Sequence, residues 1–204
     1  VTIFLVRHGE TAGNRDRVIQ VAETPLSERG IAQAERLAAR LAEHPIGRIV
    51  SSDLARARMT AEVVAKLTGA PLSLDARLQE RNFGDLRGTP YADLGLDPFA
   101  PDYVPPAGES WEQLHRRADA AFEHAISLAG RTPGRDLVVV THGLVCHSWV
   151  ARRLDLGGLA APAGFGNTSV TLIDPSPPFR VALVNCTAHL DEETAHDVRT
   201  RSGL

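Results

Sequence analysis

The chain has 204 residues, 43% hydrophobic and 23% charged, with a formal net charge of −3. That is apolar material for one sizeable core, which excludes an intrinsically disordered chain. The near-cancellation of basic and acidic side chains argues against binding that depends on a DNA backbone, and no stretch approaches the roughly 18 to 20 apolar residues of a membrane span.

The opening Val1 to Arg7 is too short for a signal peptide and lacks a basic leader, so a cytoplasmic protein is expected. Cys146 and Cys186 cannot make a disulfide scaffold; a single bridge between them is left open, and two reduced thiols are the expectation. No repeat or linker divides the chain, so residues 1–204 are expected to be a single domain.

Thr2 to Val6 is a short apolar run stopped by Arg7-His8-Gly9, the pattern of a buried strand feeding a loop. Ser27 stands where an N-cap belongs, ahead of Ile31, Ala34, Leu37, Ala38 and Leu41 at helical spacing, and His44-Pro45 ends that helix. Arg48 to Ser51 reads as a second strand, followed by a helix from Leu54 to Leu67 that stops at Gly69-Ala70-Pro71. Leu72 to Leu78 alternates weakly, as a strand would. From Gly84 to Ser110 the chain is rich in Gly, Pro and Asp, which predicts an irregular or partly helical loop, a lid or insertion over about 84–110. Trp111 to Leu128 is an amphipathic helix. Leu137 to Thr141 is the strongest strand signal, and after His142-Gly143 a helix runs to about Leu154. Ser169 to Ile173 and Arg180 to Val184 are closing strands separated by the turn Asp174 to Pro178.

This order predicts an α/β fold, a three-layer α/β/α sandwich with a largely parallel central sheet. In such folds ligands sit beyond the carboxyl ends of the strands. Two strands end in the same chemistry, Arg7-His8-Gly9 and Thr141-His142-Gly143. If those strands are parallel neighbours, both histidines meet at one crevice.

A pair of imidazoles can hold a metal, but there is no H-x-x-x-H on a helix, no C-x-x-C and no Asp-rich strand end beside them. An arginine next to a would-be ligand favours an anion instead, and repeated arginines favour phosphate. Arg56 and Arg58 fall at the start of the helix after the second strand, where a side chain can reach back over the strand ends and the helix dipole also favours an anion.

Leu5-Val6-Arg7-His8-Gly9-Glu10-Thr11, with Asn14, resembles the opening motif of the histidine phosphatase superfamily, the phosphoglycerate mutase-like fold. The resemblance continues through Gln20, Pro25-Leu26-Ser27, Gly30, Gln33-Ala34, and Ser51 to Arg56 with Thr60-Ala61. It then takes in Leu78-Gln79-Glu80 with Gly84 and Gly88, Gly108-Glu109-Ser110 and Val140 to Gly143, collinear over about residues 2 to 174. The resemblance implies that His8 is the nucleophile, accepting a phosphoryl group on a ring nitrogen. Arg7, Arg56 and His142 resemble the rest of the phosphate pocket, with Asn14 as a further donor and Gly143, beside the second histidine, also assigned to phosphate binding. Glu80 matches the acidic residue that protonates the leaving oxygen and then activates water; a surface salt bridge with Arg77 or Arg81 is its competing role. Gln20, Val21, Arg58, Tyr91 and Trp111 are assigned to the substrate rim. The chain departs from the family pattern at Gly13, where members often have tryptophan, and at Val21, where many have glycine.

The implied protein is a metal-independent phosphomonoester hydrolase working through a phosphohistidine on a small phosphorylated metabolite. It would need no cofactor and no nucleic-acid or membrane partner, and the reading leaves room for a homodimer. Thr89 to Trp111 holds no Lys or Arg, so a lid cation for a phosphorylated carboxylic acid is missing and a leaving group without strong negative charge is expected. A phosphoglycerate-type mutase and a catalytically weak phospho-ligand-binding scaffold remain the alternatives on the same fold. A metal-dependent hydrolase, a third reading, predicts loss of activity in chelator. His44, His115, His124, His147, His189 and His196 are assigned to the surface or core, and Asp191 to Glu193 to a solvated helix start.

Overall fold

Ile3, Phe4, Leu5, Val6 and Arg7 are all buried, which an extended segment achieves only when both of its faces are covered. In the computed structural model, which describes residues 1–191, they form β1 (Ile3–Arg7). The other strands are β2 (Ile46–Ser51), β3 (Leu72–Leu74), β4 (Asp136–Thr141), β5 (Val170–Ile173) and β6 (Val181–Cys186). They make one sheet in the order β3-β2-β4-β1-β5-β6, with β1, β2, β3 and β4 parallel and β5 and β6 antiparallel at one edge. The fold is therefore α/β with a mostly parallel central sheet, as the element order predicts.

The helices are α1 (Ala12–Arg15), α2 (Glu28–Leu41), α3 (Ala55–Thr68), α4 (Trp111–Gly130) and α5 (Gly143–Arg152). Strand alternation sorts them into two layers. Phe4, Val6, Val138 and Val140 pack with Leu37, Leu41, Ala61 and Val64 of α2 and α3. Ile3, Leu5, Leu137 and Val139 face the other way, onto Leu114 and Phe122 of α4 and Val145 and Trp149 of α5. Trp149 is fully buried, meets Phe122 edge-on at 5.1 Å, and donates its indole N–H to the Ala118 carbonyl at 2.9 Å. Truncating it to alanine should cost about 3–5 kcal/mol, because the layer cannot collapse around so large a void.

Ser27 caps α2 as expected, its Oγ accepting from Gly30 N–H at 3.0 Å. Gly30 is required there: a Cβ would stand 2.0 Å from the Glu10 carbonyl, so only glycine lets α2 approach the loop after β1. α3 ends at Gly69 in the left-handed conformation. The strand expected over 72–78 stops at Leu74, because Asp75 caps the amide of Arg77 at 2.9 Å and turns Ala76–Leu78 into a 3-10 turn. The last strand runs on to Cys186 and α5 stops at Arg152. Helix α1 has no counterpart among the predicted elements: four residues hold no periodicity, and only the capping box between Thr11 and Asn14 marks it. Both cysteines are free thiols. Among the described residues no helix is long and apolar enough to cross a membrane. Glu192, Glu193 and His196 lie outside the described residues, while Asp191 pairs with Arg36 at 2.6 Å.

Candidate active site

The site is assembled by strand register. β1 pairs with β4 so that Arg7 stands opposite Thr141, and Ser51 of β2 stands opposite Val140. His8, His142 and Ser52 are thus the first residues past three adjacent parallel strand ends. The amide of His8 donates to the Thr141 carbonyl at 2.9 Å, and the rings of His8 and His142 lie 5.1 Å apart.

Nδ1 of His8 lies 2.7 Å from the Gly9 carbonyl, which can only accept, so Nδ1 carries the proton and Nε2 keeps a free lone pair. Burial, with Arg56 and Arg7 alongside, holds the His8 pKa well below the ordinary imidazole range. His142 is held low in the same way, by burial first and then by Arg56, His8 and Arg7. Its Nε2 meets Ser52 Oγ at 2.8 Å. Arg7 donates one terminal nitrogen to the Phe165 carbonyl, and Arg56 donates one to the Val21 carbonyl at 3.1 Å. Burial lowers the Arg56 pKa to about 10, with Glu80 opposing the shift, so the guanidinium stays charged at neutral pH.

Three buried nitrogens in this group, Arg7 Nε, Arg56 Nε and His142 Nδ1, have no hydrogen-bond partner among the described residues. Unmet buried polar nitrogens are costly, and several on residues beside one nucleophilic imidazole suit a bound oxyanion. Asn14 stands on the wall of the same cleft.

Glu80 lines the same cleft as Arg7 and Arg56. One carboxylate oxygen accepts from Arg81 N–H at 3.0 Å and the other from Leu144 N–H, in the first turn of α5, at 3.3 Å. Burial pushes its pKa above the usual carboxylate range, against the pull of those amides and of Arg56 and Arg7. Neither surface salt bridge forms: Arg77 pairs with Asp75 at 2.8 Å, and the Arg81 guanidinium points into the 84–110 loop. There Arg81 donates to the carbonyls of Glu109, Pro98 and Tyr103 at 2.9, 3.0 and 2.5 Å, and its Cζ lies 4.2 Å from the centre of the Trp111 ring. Arg117 pins the segment that carries Glu80 by donating to the carbonyls of Arg77 and Gln79 at 2.8 and 2.7 Å and pairing with Glu109 at 2.7 Å.

The rim differs from expectation in three places. Gln20 and Tyr91 line the cleft, but Arg58, Trp111 and the Val21 side chain do not. Arg58 sits one helical step past the inward face and pairs with Glu62 at 3.6 Å. Trp111 stacks on Arg81 and donates to the Ala100 carbonyl at 2.9 Å, so it holds the loop instead of the ligand. Val21 is exposed, and only its carbonyl takes part, through Arg56. Neither His142 nor Gly143 lines the cleft: His142 is fully buried with its ring beside His8, Gly143 is buried at the start of α5, and His147 is exposed. The glycine at position 13 leaves room for Gln20, whose Cγ lies 2.6 Å from where a Cβ would stand.

Arg87 lines the cleft and forms no ion pair among the described residues. It sits two residues before the Thr89 to Trp111 stretch that lacks basic side chains. Arg117 carries no motif in the sequence, and Arg81 and Ser52 take roles other than their sequence readings; each acts through a contact distant in sequence.

The sequence profile of the histidine phosphatase superfamily (branch 1) matches residues 3–186. A Shigella boydii protein named probable phosphoglycerate mutase GpmB is 36% identical, the match covering 76% of this chain and 80% of that protein. Among solved structures, Bacillus stearothermophilus YhfR has a TM-score of 0.79 at 33% identity, covering 92% of this chain and 98% of its own. A mycobacterial glucosyl-3-phosphoglycerate phosphatase complexed with VO3 has a TM-score of 0.78 at 29% identity, covering 91% of this chain and 99% of its own.

Proposed function

The chain belongs to the histidine phosphatase superfamily, branch 1, and from that premise we propose that it is a metal-independent phosphomonoesterase acting on a small phosphorylated metabolite through a phosphohistidine at His8. The observation that carries this reading is the set of unmet donors on Arg7, Arg56 and His142 around an imidazole whose Nε2 is unprotonated.

His8 Nε2 attacks phosphorus as the ester P–O bond breaks, forming an N–P bond. Arg7, Arg56, His142 and the amide of Asn14 take the equatorial oxygens, supplying fixed charge where a metal would otherwise be used. Glu80, whose pKa burial raises above the usual carboxylate range, gives its proton to the leaving oxygen. It then takes a proton from water, which attacks phosphorus; the N–P bond breaks and neutral His8 returns with inorganic phosphate. Ser52 Oγ already accepts from Leu54 N–H at 3.3 Å, so its hydroxyl proton is available to His142 Nε2, which puts the other ring proton on Nδ1, facing the phosphoryl group.

A mutase is the second reading, favoured by Arg87: a cation at the cleft mouth suits a substrate with a second anionic group, as in the phosphoglycerates named for two of the similar proteins. The deciding experiment is phosphate release from p-nitrophenyl phosphate in excess EDTA, by wild type and by His8→Ala. Turnover lost in the variant supports the phosphatase reading. Activity that survives in His8→Ala, or that disappears in EDTA, overturns it. Isomerisation of 3-phosphoglycerate without phosphate release would establish the mutase.

A further inference from the structure

The amide of Asn14 can present either its oxygen or its nitrogen to the cleft, and only the nitrogen suits an anion. Its Oδ1 lies 3.2 Å from the backbone N–H of Thr11 and 3.3 Å from Nδ2 of Asn167. The Thr11 N–H can only donate. Asn167 is fixed in turn, because its Nδ2 also lies 3.1 Å from the His8 carbonyl, which can only accept. Two backbone groups that cannot flip therefore determine both side-chain amides. The single Thr11 hydroxyl proton serves one of two oxygens, Asn14 Oδ1 at 3.0 Å or Gln20 Oε1 at 2.9 Å, and the first choice agrees with the same Asn14 orientation.

Asn167 precedes β5, in a turn that is itself braced. Thr168 N–H donates to the His8 carbonyl at 3.2 Å and Ser169 N–H to the Gly166 carbonyl at 3.1 Å. Asn185 of β6 spans the same turn, accepting from Gly166 N–H and donating to the Gly164 carbonyl, both at 2.9 Å. Between those two anchors lies Phe165, whose carbonyl receives Arg7. The turn thus touches Arg7, His8 and Asn14 from behind, without lining the cleft.

We propose that Asn167 is a positioning residue for phosphoryl recognition: it holds the Asn14 amide in the one orientation that turns an N–H, and not a carbonyl oxygen, toward the anion on His8. The role rests on the phosphatase reading for its kinetic consequence but not for its binding consequence. Without Asn167 one of the donors that fix Oδ1 is lost, and the flipped amide would set an oxygen against the phosphoryl oxygens.

The test is a double-mutant cycle of Asn14→Ala and Asn167→Ala, read by kcat and KM for p-nitrophenyl phosphate and by equilibrium binding of orthovanadate. Each single variant should lose about 10- to 100-fold in vanadate affinity and in kcat/KM, the worth of one hydrogen bond to a charged group. The double variant should lose no more than Asn14→Ala alone. Losses that multiply would mean that Asn167 acts through the His8 carbonyl, and they overturn the proposal, as does a wild-type Asn167→Ala. Asn167→Asp preserves shape and guards against misfolding. Its carboxylate sets an oxygen against both Asn14 Oδ1 and the His8 carbonyl, so it should cost at least as much as alanine where Asn14 is present and less where Asn14→Ala has removed one of those two clashes. If wild type turns over no ester, the phosphatase reading fails, and the vanadate arm still decides the role of Asn167.

Discussion

The carboxylate of Glu80 accepts the backbone N–H of Leu144 at 3.3 Å, so the acid on one side of the cleft is tied to the helix that begins just behind His142. A carboxylate at a helix N-terminus is stabilised in its charged form, yet burial wins here and the net shift is upward. The proton is therefore kept to a higher pH than in an ordinary glutamate, as a general acid needs.

Glu80→Gln should lower kcat for p-nitrophenyl phosphate by about 10²- to 10⁴-fold, with a smaller effect on KM. Wild-type kcat/KM should fall as pH rises through the elevated Glu80 pKa, and that limb should vanish in the variant. On the acid side no limb from His8 should appear in the ordinary imidazole range, since His8 stays neutral well below it. A glutamine variant that keeps the alkaline limb would remove Glu80 from the acid role.

Stability should depend on pH through the buried imidazoles. In the unfolded chain His8 and His142 protonate near 6.5, whereas in the fold they remain neutral to lower pH. Below about 6.5 the unfolded state therefore binds protons that the folded state does not, and stability decreases as pH falls toward the folded pKa values. Urea midpoints at pH 7 and pH 5 should show this, and the gap should narrow in His142→Gln. An unchanged gap in the variant would contradict the buried neutral state.

Ser52→Ala removes the partner of His142 Nε2 and frees the ring to tilt and change tautomer. Phosphate affinity should fall about 10-fold, the effect of one lost hydrogen bond, with a stability change near 1 kcal/mol. Isothermal titration with orthovanadate on both proteins checks it; equal affinities would mean that Ser52 does not set the ring.

Arg81→Met keeps the length of the side chain while removing donors from three carbonyls of the 84–110 loop. Leaving buried acceptors unmet should destabilise the fold by about 2–4 kcal/mol. Denaturant titration gives the loss, and proteolysis should cut first within 94–107. A variant as stable as wild type would show that the loop is held by its apolar contacts alone.

Arg87→Ala should raise KM for 3-phosphoglycerate and leave that for p-nitrophenyl phosphate almost unchanged. The wild-type preference for the doubly anionic substrate should also shrink as salt rises, because Arg87 is exposed. Equal effects on both substrates would exclude a charge-specific role for Arg87.

The strand ends were legible because register needs little besides alternation: the runs at 3–7 and 136–141 are apolar on both faces, and each is followed by His-Gly. Arg56 could be inferred from its place in the first turn of α3. Arg58 could not be rejected, because sequence does not say which of two nearby positions on a helix faces inward. The rim failed for another reason. Trp111 resembles a ligand-stacking residue until Arg81 is seen filling its face, and Arg81 resembles a partner for Glu80 until three carbonyls are found around it. Asn167 carries no local signal, since its partners lie on the far side of the chain.

The pairing of β1 with β4 joins segments separated by more than half the chain. His8 and His142 consequently face each other only after β1 and β4, far apart along the chain, have been placed side by side in one sheet, a late and slow event in a fold rich in distant contacts. No nascent fragment that ends before β4 can hold the donor set, so catalysis should begin only with the finished sheet. During refolding, regain of turnover would serve as a clock for completion, lagging the return of helical signal from α2 and α3.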